Sequence, residues 1–166
     1  MALVFAILSI SCEEKKDTTV NLSKVDYSSE LEINSPEGLA KESSLIYQEM
    51  VNEVITTQEG FERLLKVSCE STVENLKKNE AEFKKEIRDT ISYLKSNDDS
   101  VVKFVYAETE FKDENTASIR RIQVQKNGKK YFFQQDYVKE NDVWKIKGDN
   151  IIDDFQMKKR FLFWYI

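Results

Sequence analysis

The sequence predicts an α+β domain: N-terminal helices, one of them long, packed on a curved four-stranded antiparallel meander. Three observations point there. Apolar residues recur at spacings of three, four or seven across residues 61–94, as one buried helical face requires. After Asn97-Asp98-Asp99-Ser100 the period falls to two, the repeat of a half-buried strand. Asn127-Gly128 then separates two alternating runs, the strongest short signal for a type I′ hairpin.

In chain order, the domain opens at Ser35-Pro36-Glu37. This is a capping hydroxyl, a proline in the first turn, and an acid at the positive end of the helix dipole. Leu39, Ile46, Met50 and Val54 give that helix its apolar side. Thr56-Thr57-Gln58-Glu59 matches a capping box and starts the long helix. Its stripe runs through Phe61, Leu65, Cys69, Val73, Leu76, Phe83, Ile87, Ile91 and Leu94. Weak helix formers at residues 68–72 mark a break near Ser71. The stripe ends where strands begin, which favours packing on a sheet over a coiled coil.

Val102, Phe104 and Tyr106 alternate in a first strand that runs to Phe111, and residues 112–115 turn the chain. Ala117 and Ile119 share one parity, Ile122 and Val124 the other. That slip predicts a β-bulge near Arg120-Arg121. The next strand, residues 129–139, sets Tyr131, Phe133 and Tyr137 on one face. Glu140-Asn141-Asp142 turns into a last strand at residues 143–147.

A chain of 166 residues with 40% hydrophobic content holds one domain with a real core. A net charge of −5, with lysines interleaved among glutamates, argues against a nucleic-acid partner. The chain has no histidine. That removes Ser-His-Asp and Cys-His nucleophiles and the common metal sites, so no catalytic residue, metal or cofactor is expected. Cys69 reads as a small buried hydrophobe, with no histidine to activate it.

Residues 2–10 form an apolar run. It is shorter than the roughly twenty residues a membrane-spanning helix needs, and it fits the core of a signal peptide. Leu8-Ser9-Ile10-Ser11-Cys12 resembles the lipobox of bacterial lipoproteins, with Ser9 in the usual leucine place and Leu8 one position further out. The resemblance implies cleavage before Cys12 and acylation of its thiol. Residues 1–11 are then a signal peptide, 12–34 a polar tether, and 35–166 the domain. The expected setting is the bacterial cell envelope, periplasmic side or outer membrane, with the membrane as partner through the lipid. No basic residue precedes the apolar run, as expected if the true start lies upstream of Met1.

Helices followed by strands, with Ser35-Pro36-Glu37 at one end and Trp144-Lys145-Ile146 at the other, resemble the NTF2-like superfamily over residues 35–150, in particular its small lipoprotein domains. The resemblance implies a sheet wrapped around a long helix and a cone-shaped pocket, where family enzymes often carry an Asp-His pair. Without histidine that pair is incomplete. The pocket's polar groups are expected to be Gln134 with Asp136, or Gln135 with Tyr131 and Tyr137, according to which face is concave. Arg120-Arg121 reads as a surface pair, with anion binding as its alternative. The apolar residues 161–166 read as a docked terminal segment, with a membrane-surface contact as the sharper alternative. The expected function is non-catalytic: a lipid-anchored domain binding a protein partner or a small apolar ligand. Two alternatives stand beside it. One is an NTF2-like enzyme using a buried Asp136 or Glu108; the other is a helical self-assembly or adhesion module working through the 61–94 stripe.

Overall fold

Four helices precede five strands in the computed structural model, which describes residues 34–153. Residues 1–33 and 154–166, with Cys12 and the apolar C-terminal residues among them, lie outside that range. The helices are α1 (Pro36–Val51), α2 (Thr57–Val67), α3 (Glu70–Lys78) and α4 (Glu80–Ser96). The strands are β1 (Val101–Tyr106), β2 (Glu110–Phe111), β3 (Thr116–Gln125), β4 (Lys130–Glu140) and β5 (Val143–Asp153). All belong to one antiparallel sheet in the order β1-β3-β4-β5, with β2 also paired to β3. The α+β class and the meander are as the sequence predicts, but the first strand is split in two by residues 107–109.

Both helix starts form as expected. Ser35 Oγ accepts from Gly38 N at 3.0 Å. Thr56 Oγ1 accepts from Glu59 N at 3.1 Å, while Glu59 Oε2 accepts from Thr56 N at 2.8 Å. α1 stops at Val51, so Val54 falls outside it and is 70% exposed.

The expected long helix is three helices: the break expected near Ser71 falls at Ser68-Cys69, and a second, unexpected one at Asn79. At the first break the backbone leaves the helix to join the sheet: Cys69 N donates to Ile146 O at 2.9 Å, and Ser68 bridges Ile146. The stripe is therefore folded rather than continuous. Phe61, Leu64, Leu76, Phe83, Ile87 and Leu94 gather with Ile46, Met50 and Val51 of α1 in one cluster. Leu64, absent from the expected stripe, is buried, while Leu65 is only half-buried.

α2 crosses α1 closely at Gly60, where an added Cβ would collide with the buried Met50 side chain. In an open helix, alanine for glycine gains roughly 0.5–1 kcal/mol. Here overpacking opposes that gain, and Gly60→Ala is expected to lower stability by about 1–3 kcal/mol. A urea titration checks it: the midpoint falls with the slope unchanged.

β3 pairs with β4 in unbroken register from Thr116↔Val138 to Val124↔Lys130, so the bulge expected at Arg120-Arg121 is not there. The irregularities lie elsewhere: Val102 is the extra residue of β1, and Lys147 and Ile152 are the extra residues of β5. Turn chemistry also differs from expectation. At Asn127-Gly128 only Gly128 has positive φ (85°), and Gln125 pairs with Lys129 around a three-residue loop. That is a type I turn closed by a glycine bulge. The type I′ geometry occurs instead at Asn141 and Asp142, with φ of 50° and 62°.

Candidate ligand pocket

The inner face of the sheet has two apolar ends and a polar middle. At one end Leu39, Ala40, Ala117, Ile119, Tyr137, Trp144 and Ile146 form a cluster; the helical cluster lies beyond the other. Between them each facing element contributes polar residues: Ser43 and Ser44 from α1, Arg121, Gln123 and Gln125 from β3, Gln135 from β4, and Asp149 from β5, all buried.

Strand geometry explains why they meet. On β3 the inward positions are 117, 119, 121, 123 and 125 without interruption, as a period of two demands. The parity slip in the sequence is thus a change from apolar to polar on a single face, with Ile122 and Val124 turned outward. On β5 the opposite holds. Trp144 and Ile146 face inward, and the extra residue Lys147 shifts the parity so that Asp149 and Ile151 do too. Thr72 Oγ1 of α3 donates to the bulged Lys147 carbonyl at 2.7 Å. The helix break and the bulge therefore hold each other, and together they bring a carboxylate under α1.

Arg121 and Asp149 form an ion pair with both side chains buried. The other guanidinium nitrogen, Nη1, donates to Ser44 Oγ at 2.7 Å and more weakly to Ser43 Oγ at 3.4 Å. Phe104 and Phe133 lie against the guanidinium with centroids 5.4 and 5.6 Å away. Gln135 Oε1 accepts from Ser43 Oγ at 3.0 Å and Tyr137 Oη at 2.6 Å.

Above this belt is a cavity of about 60 Å³. Met50, Leu64, Phe83, Ile87, Phe104 and Ile151 supply apolar wall; Arg121, Gln125, Gln135 and Asp149 are among its polar lining. Three of these polar residues keep a buried atom with no hydrogen-bond partner among the described residues: Arg121 Nε, Asp149 Oδ1 and Gln125 Oε1. Burial pushes the Asp149 carboxyl up from its usual range, against the opposing pull of the Arg121 charge and hydrogen bond. Burial also raises the phenols of Tyr47, Tyr106, Tyr131 and Tyr137, which stay uncharged.

Of the sequence-predicted pocket residues, Tyr131 and Gln135 line the cavity and Tyr137 backs it. Gln134 and Asp136 are on the outer face, where Asp136 meets Lys112 at 3.3 Å and Gln134 at 3.2 Å. Glu108 is exposed in the break between β1 and β2. The Arg120-Arg121 pair is divided by the sheet: Arg120 pairs with Glu110 while Arg121 enters the pocket. Cys69 is buried and free, with Sγ near Thr72 Oγ1 at 3.2 Å. Among the described residues no group of histidine, cysteine or acids could hold a metal ion, and no helix is long and apolar enough to cross a membrane.

On α4, the helix that supplies Phe83, Ile87 and Thr90 to the cavity, half-buried Glu86 has its carboxyl pushed up to about 7, by burial first and then by Glu82 and Asp89. A group raised on folding adds stability below its unfolded pKa and loses it as pH rises through the folded value. Glu86→Gln is therefore expected to raise the melting temperature relative to the parent at pH 8, and much less at pH 5. Melting curves at both values check it.

No protein-family model and no curated protein matches the chain. Among solved structures it is similar to the intermembrane-space region of the chloroplast protein ARC6, with 12% identity over 70% of this chain and 96% of that one, and a TM-score of 0.43.

Proposed function

We propose that this chain is a lipid-anchored envelope protein whose NTF2-like domain holds a small ligand in the pocket over Arg121 and Asp149 without transforming it. The observation that carries the binding reading is the set of three buried, unpartnered polar atoms on residues that line one cavity. Polar atoms of this kind at the wall of a cavity call for a partner held inside it, water or ligand. The NTF2-like reading is supported by helices laid on an antiparallel meander with a cavity between the layers. The anchor reading is supported by the apolar run ending at Ser11-Cys12 and the polar residues after it.

Titration of the ¹⁵N-labelled chain with indole, an apolar ring with one donor, tests the binding. Shifts confined to the amides of lining residues support it; lining amides unchanged at saturating indole and equally at saturating benzamide, which adds a carbonyl acceptor, contradict it. Intact mass of the protein from its native membrane tests the anchor. Loss of residues 1–11 with acyl chains added at Cys12 supports it, and an unmodified Cys12 removes it.

Catalysis by a pocket carboxylate is a second reading, favoured by the upward shift of Asp149. Arg121 opposes it by occupying Oδ2 and favouring the charged form. The two separate on carboxyl ¹³C spectra. An Asp149 that titrates at roughly pH 6–8 suits proton transfer, whereas one ionised throughout that range suits binding. Self-assembly through the 61–94 stripe has less to rest on, since the stripe folds over three helices and packs within the domain.

A further inference from the structure

We propose that the pocket selects an uncharged amphiphile: an apolar ring or short chain whose head carries a hydrogen-bond acceptor beside a donor, as a carboxamide or lactam does. This rests on the reading of the cavity as a ligand site, and adds the ligand's charge and head chemistry.

Charge comes first. Arg121 and Asp149 are the charged residues of the lining, and they neutralise each other. A ligand anion or cation entering this site gives up its hydration and meets no free countercharge, which is costly in an apolar enclosure. Lys129 donates to Tyr93 Oη at 3.1 Å beside the lining, but it is exposed and outside it.

Arginine is the usual receptor for carboxylates and phosphates because its fork offers two parallel donors. Here two of its three nitrogens are engaged and its charge is met. Nη2 is held by Asp149 and Nη1 by Ser44, and Phe104 and Phe133 lie near the guanidinium. Nε, on a residue 7% exposed, has no partner among the described residues, and Nη2 keeps a second N–H beyond the one it gives to Asp149. With the Asp149 carboxylate already on the guanidinium, a neutral carbonyl oxygen suits these donors better than a second anion.

The other two unpartnered atoms are acceptors, Asp149 Oδ1 and Gln125 Oε1, on residues 6% and 5% exposed. They call for a donor on the ligand. The walls of Met50, Leu64, Phe83 and Ile87 call for an apolar body.

Four probes of similar size separate these requirements: benzamide, benzoate, benzylammonium and toluene, each titrated into the full chain and followed by amide shifts. Benzamide is expected to bind at least about tenfold more tightly than each of the others, since each of those leaves a buried charge or polar atom unpaired. Gln125→Leu, which removes an unpartnered acceptor and leaves the ion pair intact, is expected to weaken benzamide several-fold and leave toluene unchanged. Benzoate or benzylammonium matching benzamide overturns the neutral head and leaves the pocket a ligand site. Toluene matching benzamide overturns the polar head in the same way. If none of the four, nor indole, shifts a lining amide, the binding reading itself falls.

Discussion

Arg121→Met is expected to destabilise the domain by about 3–5 kcal/mol, the cost of leaving one partner of a buried ion pair uncompensated. Asp149 would keep its burial and lose its countercharge, while Ser43 and Ser44 would lose their donor. Small domains hold only about 5–15 kcal/mol in total, so the single variant can fall to the edge of folding. The double variant Arg121→Met/Asp149→Leu is expected to recover most of the loss, because a packed apolar pair of similar volume often matches or exceeds a buried ion pair. A double variant as unstable as the single would show that the loss comes from packing rather than from charge.

The same substitution carries a pH signature whose direction follows from Asp149. Its carboxyl is raised on folding even with Arg121 present. A raised carboxyl contributes stability below its unfolded value, near 3.9, and loses it as pH rises through the folded value. Removing Arg121 deletes the chief influence holding Asp149 down, so the folded value climbs further. The stability gap between parent and Arg121→Met is thus expected to be full at pH 7 and to shrink on acidification. Urea titrations across that range measure it; a gap independent of pH would contradict the ionic origin.

Phe61→Ala is expected to cost about 3–5 kcal/mol, as large-to-small changes at buried aromatics do. Phe61 is fully enclosed where α1, α2 and α4 meet, with its ring 5.4 Å from that of Phe83 and Lys84 Nζ 5.6 Å from its centroid. Phe83 also lines the pocket. The loss should therefore appear twice, as a lower urea midpoint and as weaker benzamide binding in the protein that remains folded. Phe61→Leu, which keeps most of the volume, is expected to lose less than half as much. Equal losses would mean that the ring's shape, and not the space it fills, holds the helical layer.

The sequence made the fold class readable because its local signals agree with the tertiary result. The cap at Ser35, the capping box at Thr56 and the alternation in β3 and β4 are decided by neighbours in the chain. The helix breaks at Ser68 and Asn79 were harder to place. Weak helix formers at residues 68–72 mark the first to within a few residues, but its place at Ser68-Cys69 depends on a hydrogen bond to Ile146, more than seventy residues away in sequence. The pocket was half legible. Tyr131, Gln135 and Tyr137 follow from parity once the concave face is known, but parity alone does not choose the face.

The sequence reading puts Arg121 on the surface and does not single out Asp149, for opposite reasons. At Arg121 a polar residue sits on a buried face, and apolar parity alone reads that as a bulge. At Asp149 a real bulge, at Lys147, reverses the parity, and its mark in the sequence is the adjacent Gly148. The legible trace was Ser43-Ser44, a polar step between Leu39 and Ile46 on the apolar side of α1. A small polar pair there needs polar partners across the interface, and β3, β4 and β5 supply them.

A crystal structure of the full chain grown in benzamide decides whether the belt between the two cores is a receptor or an unusual piece of core. The expected result is the ring against Phe83 and Ile87, the carboxamide oxygen within hydrogen-bond distance of Arg121 Nε, and its nitrogen at Asp149 Oδ1 or Gln125 Oε1. A cavity without benzamide, with Arg121 Nε, Asp149 Oδ1 and Gln125 Oε1 satisfied by one another or by water alone, would contradict the binding function.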